Sequence, residues 1–266
     1  MKNIKAVIFD WAGTLIDFGS IAPVQVFMDV LSSKGIEVSA QEVRMHMGLA
    51  KKDHLRALLA QERILTLWKT TYHQAPSEED IEAMYEALTP KMIELVQHYT
   101  TPIPGIPELL TTLKARNIRI GSTTGYVQEM MEVIVPSAQN QGLHLDSVVN
   151  PSDCKEGRPS PFMIFRNMEN LGIYHVDEII KVGDTEADMM EGLNAGVWTV
   201  GITSSGNEIG MSYEAWRALP EDEQIALRNR AADRLIEAGA HFVIHDLRNL
   251  PEIIEEINAI LDYPQK

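Results

Sequence analysis

The stretch Ala6-Val7-Ile8-Phe9-Asp10-Trp11-Ala12-Gly13-Thr14 runs four apolar residues into an acid and a glycine turn. A short, unbroken apolar run bounded by loop residues reads as a central parallel strand, buried on both faces. Downstream, strands and helices alternate. The pattern predicts a helix over 107–116, a strand over 119–122 and a helix over 127–139. A strand over 147–150, a helix over 161–171, a strand over 179–182, a helix over 186–195 and a strand over 198–201 follow. Residues 206–219 read as irregular, 221–238 as helix, 242–244 as a last strand and 250–261 as a closing helix. Such alternation predicts an α/β fold with a doubly wound, Rossmann-like parallel sheet. Its ligands are expected beyond the carboxyl ends of the strands.

Between the first and second strands the pattern is different. Val26, Phe27, Val30 and Leu31 recur at helical spacing, as do Leu55, Leu58 and Leu59, and later Ile81, Met84, Tyr85 and Leu88. Ser77 reads as a helix N-cap with Asp80 near the capping-box position. The expected organisation is an α/β core of residues 1–19 and 101–266, interrupted by an all-helical cap of residues 20–100. The Met and aromatic positions of this cap read as core or a self-association face.

The 266 residues carry a formal net charge of −15. That argues against partners such as nucleic acid and an anionic membrane surface, and leaves a small anionic substrate open. No charged leader with an apolar core opens the chain, and no apolar run approaches a membrane span. The one cysteine, Cys154, excludes an internal disulfide, so a reducing cytoplasm is the expected compartment.

Four strand ends carry chemistry: Asp10; Thr123-Thr124-Gly125; Gly157-Arg158-Pro159; and Gly183-Asp184-Thr185-Glu186-Ala187-Asp188. In order and type this set resembles the haloacid dehalogenase superfamily, with its nucleophilic Asp, Ser/Thr, cation and paired acids. The resemblance implies that Asp10 attacks phosphorus. It implies Mg²⁺ held by the Asp10 carboxylate, the Ala12 main-chain carbonyl and Asp184, with Asp188 acting from outside the ligand set. Thr124 and Arg158 would bind the phosphoryl group. The phosphatases of that superfamily carry a second Asp where Ala12 stands, to protonate a departing alkoxide, and alanine cannot do so.

Phe9-Asp-Trp-Ala-Gly-Thr14, Met47-Gly-Leu-Ala-Lys-Lys-Asp-His54, Gly121-Ser-Thr-Thr-Gly-Tyr126 and Gly157-Arg-Pro159 together resemble the phosphonatase family of that superfamily, end to end. The resemblance implies cleavage of the carbon–phosphorus bond of phosphonoacetaldehyde in phosphonate (2-aminoethylphosphonate) degradation, with Lys51 forming an imine to the substrate aldehyde. It implies proton transfer by His54, a contact of Tyr126 that places Lys51, substrate closure by Met47 and Gly48, and a homodimer through the cap. Ser20 falls where some relatives carry cysteine, so that position is not expected to be essential. Lys52 and His54 are candidate neighbours that would keep Lys51 neutral.

Other readings remain. A phosphate-monoester hydrolase or phosphomutase of the same superfamily would lack its acid at Ala12. A haloacid dehalogenase would not need the Asp184/Asp188 pair. A decayed, non-enzymatic scaffold should have lost Asp10, Asp184 or the cation. Asp184 and Asp188 alone would also suit a helix N-terminus. His241 and His245 lack a third metal ligand, and Ser152 with Lys155 lacks the companions of a serine acylase.

Overall fold

A computed structural model describes residues 3–262. The outermost ends of the expected core segments, residues 1–2 and 263–266, lie outside the described residues. Six parallel strands form one sheet in the order β3-β2-β1-β4-β5-β6: β1 (Ala6–Phe9), β2 (Arg119–Ser122), β3 (Ser147–Val148), β4 (Ile179–Gly183), β5 (Trp198–Ile202) and β6 (Phe242–Ile244). Between β1 and β2 run α1 (Ala22–Ser32), α2 (Ala40–Arg44), α3 (Lys51–Ala60), α4 (Glu62–Tyr72), α5 (Glu78–Val96) and α6 (Ile106–Ala115). The rest are α7 (Gln128–Gln139), α8 (Phe162–Leu171), α9 (Glu186–Ala195), α10 (Tyr213–Ala218), α11 (Glu221–Glu237) and α12 (Leu250–Asp262).

β1 is apolar at every position because both its faces are covered. Val7 and Phe9 join the large cluster that includes α6, α7 and α12, whereas Ala6 and Ile8 pack with Ile164 and Met168 of α8 and Ala195 of α9. The larger cluster continues through Phe27, Leu55, Trp68, Met84 and Met92 of the inserted helices. These Met and Trp side chains are therefore core, as one of the two sequence readings has it, whereas Met45 is exposed. Ser77 and Asp80 form the expected capping box at the start of α5.

Two elements differ from expectation. β3 ends at Val148 rather than Asn150, because the Asn150 side chain turns to accept the Ser152 N–H at 2.9 Å and starts a tight turn. The irregular stretch 206–219 contains α10, capped by Ser212, whose Oγ accepts from the Ala215 N–H. No helix among the described residues is long and apolar enough to cross a membrane.

Register brings the chemistry to one edge. Phe9 lies opposite Ser122 on one side and Val182 on the other. Pairing continues one residue further: the Asp10 N–H donates to the Val182 carbonyl (2.9 Å) and the Thr123 N–H to the Phe9 carbonyl (3.0 Å). Asp10, Thr123 and Gly183 thus leave the sheet side by side.

Candidate active site

The loop after β1 is tight: the N–H groups of Thr14, Leu15 and Ile16 all point at the Trp11 carbonyl. It carries Asp10, buried, and Ala12, partly exposed. The loop after β4 carries Asp184, whose Oδ1 accepts from Thr14 Oγ1 (3.1 Å) and Oδ2 from the Asn207 N–H (2.7 Å). Asp188 sits in the first turn of α9, where Thr185 is the N-cap and Asp188 closes a capping box; Thr185 Oγ1 donates to Asp188 Oδ2 at 2.5 Å. Asp188 is thus a helix-terminal acid, as one sequence reading has it, and lies with Asp10 and Asp184 in one carboxylate cluster.

Carboxylate oxygens of Asp10, Asp184 and Asp188 all lie within 4.8 Å of one another. Two buried cations face them. Arg158 reaches Asp10 Oδ1 (2.7 Å), Asp188 Oδ1 (2.9 Å) and Glu191 Oε2 (3.0 Å). Lys181 reaches Asp188 Oδ1 (2.9 Å) and Glu191 Oε2 (3.3 Å). Thr123 Oγ1 ties the pair together, accepting from Arg158 Nη2 and Lys181 Nζ at 2.8 Å each and donating to Glu191 Oε2 at 2.8 Å.

The charges distribute unevenly. Burial and the neighbouring Asp188 raise the Asp10 carboxyl, with Arg158 opposing. Burial, then Asp10 and Asp188, push Asp184 well above the usual carboxylate range. Burial also acts on Asp188, but Arg158 and Lys181 outweigh it and hold that carboxyl below the usual range. Among the described residues, the cations in ion-pair contact with Asp10, Asp188 and Glu191 are Arg158 and Lys181, so with Asp184 the four acids leave a surplus of two negative charges over this pair when all are ionised. An all-carboxylate oxygen cluster with that surplus fits a hard divalent cation. Asp188 Oδ1 lies against both cations, Arg158 and Lys181, whereas no cation is paired with Asp184 among the described residues.

The inserted helices meet this edge through residues 47–51. Met47 is buried. Gly48 has φ +91°, and a Cβ there would lie 2.4 Å from Thr185 Oγ1; a Cβ on Gly125 would lie 2.4 Å from the Leu49 carbonyl. Only glycine allows the two surfaces to approach this closely. Arg158 Nη1 also donates to the Gly48 carbonyl at 3.4 Å. A cavity of about 160 Å³ at the seam is lined by Met47, Leu49, Asp184 and Thr185 but not by Asp10 or Lys51.

Lys51 begins α3 and is buried, its Nζ 4.7 Å from the centre of the Tyr126 ring. Among the described residues it has no ion-pair partner. Burial pulls its ammonium down to about 8, with Asp10 opposing and Arg158 assisting. Tyr126 follows Thr124, whose Oγ1 accepts the Tyr126 N–H at 3.1 Å, and burial pushes its phenol well above the usual range. His54, one turn beyond Lys51, is buried against Phe27 with ring centres 4.0 Å apart. Its Nε2 bonds the Val43 carbonyl at 2.8 Å and its Nδ1 has no partner among the described residues. Burial and then Lys51 hold His54 well below its ordinary value, so it is neutral. Lys52 pairs with Glu82 instead of facing Lys51, and the neutral His54 adds no charge, so burial and Arg158, not the two expected neighbours, lower Lys51. Ser20 is buried at φ +48°, and its carbonyl accepts from Arg44. His241 and His245 bond Thr199 and Thr203 through Nδ1, which makes them structural.

Sequence reasoning missed Lys181, Glu191 and Asn207, and placed Thr123 at the site without a role. A lysine inside the apolar strand Ile179-Ile180-Lys181-Val182 was the available signal, because a strand buried on both faces admits such a charge only when it is paired.

The parallel sheet and its edge of carboxylates define a haloacid dehalogenase-like hydrolase, and residues 7–202 match the family so described. The chain is 44% identical to the phosphonoacetaldehyde hydrolase of Paraburkholderia xenovorans over 98% of each chain. It is likewise 44% identical to that of Bacillus cereus, over 96% of this chain and 97% of the other. The crystal structure of a phosphonoacetaldehyde hydrolase-like protein from Oleispira antarctica superimposes with a TM-score of 0.96 at 41% identity, covering 99% of this chain and 95% of that one. The chain belongs to the phosphonoacetaldehyde hydrolase family of the haloacid dehalogenase-like hydrolases.

Proposed function

We propose that this chain hydrolyses the carbon–phosphorus bond of phosphonoacetaldehyde, giving acetaldehyde and phosphate, and that Lys51 makes the cleavage possible as an imine. The observation that carries this reading is Lys51 itself: buried, free of a carboxylate partner and pulled down to about 8 beside a carboxylate cluster. The names of the relatives support the substrate. Ala12 supports the bond type, since a carbon leaving group needs no acid at that position.

Mg²⁺, held by the carboxylates of Asp10 and Asp184 and the main-chain carbonyl of Ala12 with Asp188 outside them, would supply charge neutralisation between two anions. The neutral Lys51 amine adds to the aldehyde, and the carbinolamine takes up one proton from solvent and loses water, giving a protonated imine. Asp10 attacks phosphorus, the P–O bond forms, and the C–P electron pair flows into the imine to leave an enamine. Water hydrolyses the resulting aspartyl phosphate. The enamine takes a proton at carbon, and hydrolysis of the imine frees acetaldehyde and Lys51. Thr124 and Arg158 hold the phosphoryl oxygens. The unpartnered Nδ1 of neutral His54 suits it to carry protons at the imine nitrogen. Tyr126 seats the Lys51 side chain. Met47 and Gly48 close over the substrate.

The close approach at Gly48 and Gly125 leads us to treat residues 20–100 as a lid on the core of residues 1–19 and 101–266 that opens to admit substrate. A homodimer and a cytoplasmic location rest on the family resemblance and on the single cysteine.

Borohydride added during turnover tests the mechanism: an adduct on Lys51 by peptide mass mapping is expected, and rapid C–P cleavage with no trapped lysine would sink it. The amine must lose its proton before it attacks, so kcat/KM is expected to climb roughly tenfold per pH unit below about 8 and level off above it. A flat profile from pH 6 to 8 would refute the neutral-amine step.

A further inference from the structure

We propose that Arg44 is a positioning residue that makes cation binding and lid closure one event, acting on Asp184 through Asn207. The inference rests on the reading of Asp10 and Asp184 as the cation site. Arg44 ends α2, in the inserted helices. Its Nη1 lies within hydrogen-bond distance of the Gly19 and Ser20 carbonyls (3.0 and 3.2 Å), where the chain first leaves the core, and of the Asn207 carbonyl and Oδ1 (2.9 and 3.1 Å). Asn207 answers by donating Nδ2 to the Arg44 carbonyl at 3.0 Å. The same Asn207 donates its backbone N–H to Asp184 Oδ2 at 2.7 Å.

One residue therefore separates an arginine of the lid from a carboxylate of the cation site. The loop that holds Asn207 is tied to the core just before it: the Gly19 N–H donates to the Ser205 carbonyl and Ser205 Oγ to the Gly13 carbonyl, each at 2.7 Å. Just after it, Glu208 pairs with Arg234 of α11 at 2.9 Å, so the side chain and carbonyl of Asn207 are the part of the loop that the lid holds. When the lid lifts, Arg44 leaves with it, and Asn207 loses three side-chain and carbonyl contacts together. The N–H on Asp184 then keeps only the core's hold on Ser205 and Glu208 and loses the restraint that the lid adds. By linkage, whatever closure adds to cation affinity, the cation returns to closure. The site is completed at the moment Lys51 is seated, so Asp10 is paired with the cation when the imine is present. This assigns a task to the beginning of the stretch 206–219, which the sequence leaves as irregular.

The test uses Mn²⁺ as the probe and the full chain, with free Mn²⁺ followed by electron paramagnetic resonance. Wild type is expected to bind Mn²⁺ and Asp184→Asn to lose that binding. Arg44→Ala and Asn207→Ala should each weaken it about tenfold, and the double variant should be no weaker than either, because both cut one connection. Arg44→Lys should recover part of the loss. Arg234→Ala, which breaks a core anchor of the same loop, should lower the melting temperature and leave Mn²⁺ affinity unchanged. If wild type binds no Mn²⁺, the reading of the site falls and the coupling with it. If wild type binds and the Asn207→Ala and Arg44 variants bind within twofold of it, the site stands and the coupling is wrong. Asn207→Ala keeps the backbone N–H and carries the test should Arg44→Ala fail to fold.

Discussion

Lys51→Arg is expected to lower phosphonoacetaldehyde turnover by at least about 10⁴-fold, equivalent to roughly 5 kcal/mol of transition-state stabilisation, with the fold intact. Arginine preserves the positive charge, the length and the stacking on Tyr126. What it lacks is a lone pair on nitrogen at neutral pH, because a guanidinium keeps its proton. Without an imine the C–P electrons must remain on carbon, and no other group at the site can accept them. In the proposed mechanism Thr124, Arg158 and Asp10 serve the phosphorus side only. Simultaneous assays of acetaldehyde and phosphate, with a melting curve, check this. Turnover within about tenfold of wild type would remove Lys51 from the chemistry. That result would also revive phosphate-monoester hydrolysis, in which a lysine of the lid has only a binding role.

The same comparison explains Ala12. A hydrolase that expels an alkoxide needs a proton donor beside the leaving oxygen, and the loop after β1 is where a side chain two residues beyond Asp10 would supply it. Alanine there costs nothing when the leaving group is an enamine. The loop still closes on the Trp11 carbonyl, so the backbone path is independent of the missing carboxyl.

What could be read from the sequence was what lies next to a strand. Asp10, Thr124, Arg158 and Asp184 each follow an apolar run or a turn that marks the sheet edge, and local order carries their positions. Lys51 has no such marker; one lysine on a polar helix start is ordinary, and only the run Met47 to His54 singled it out. The second cation was hidden for a different reason. Lys181 meets Thr123 across 58 residues of chain and Arg158 meets Glu191 across 33, so their pairing exists only once β4 lies beside β1 and α9 packs on the sheet. The Arg44–Asn207 contact spans 163 residues and depends on how the inserted helices sit, which periodicity cannot report. Asp188 shows the converse: a helix-capping acid and an acid of the carboxylate cluster have the same local signature, and here one residue is both.

Lys181→Met is expected to destabilise the protein by about 3–5 kcal/mol, since removing one partner of a buried ion network leaves the other charges uncompensated. Methionine fills nearly the same volume, so the loss is electrostatic and not a cavity. Lys181 Nζ is shared between Asp188 Oδ1 (2.9 Å) and Glu191 Oε2 (3.3 Å), all three side chains fully buried. With it gone, Arg158 alone is paired with Asp10, Asp188 and Glu191. At about 2–4 °C per kcal/mol for a chain of this size, a fall of about 10 °C in melting temperature follows. Two further results separate charge from packing. Glu191→Gln added to Lys181→Met should restore part of the loss, because the acid left without its cation is the one neutralised. Mg²⁺ should raise the melting temperature more in Lys181→Met than in wild type, because a divalent cation binds a more negative cluster more tightly and stabilises the state that binds it. If Lys181→Met melts within about 3 °C of wild type, or if Glu191→Gln adds to its loss, the lysine does not balance these acids. The surplus of negative charge argued for the cation site would then have to be counted again.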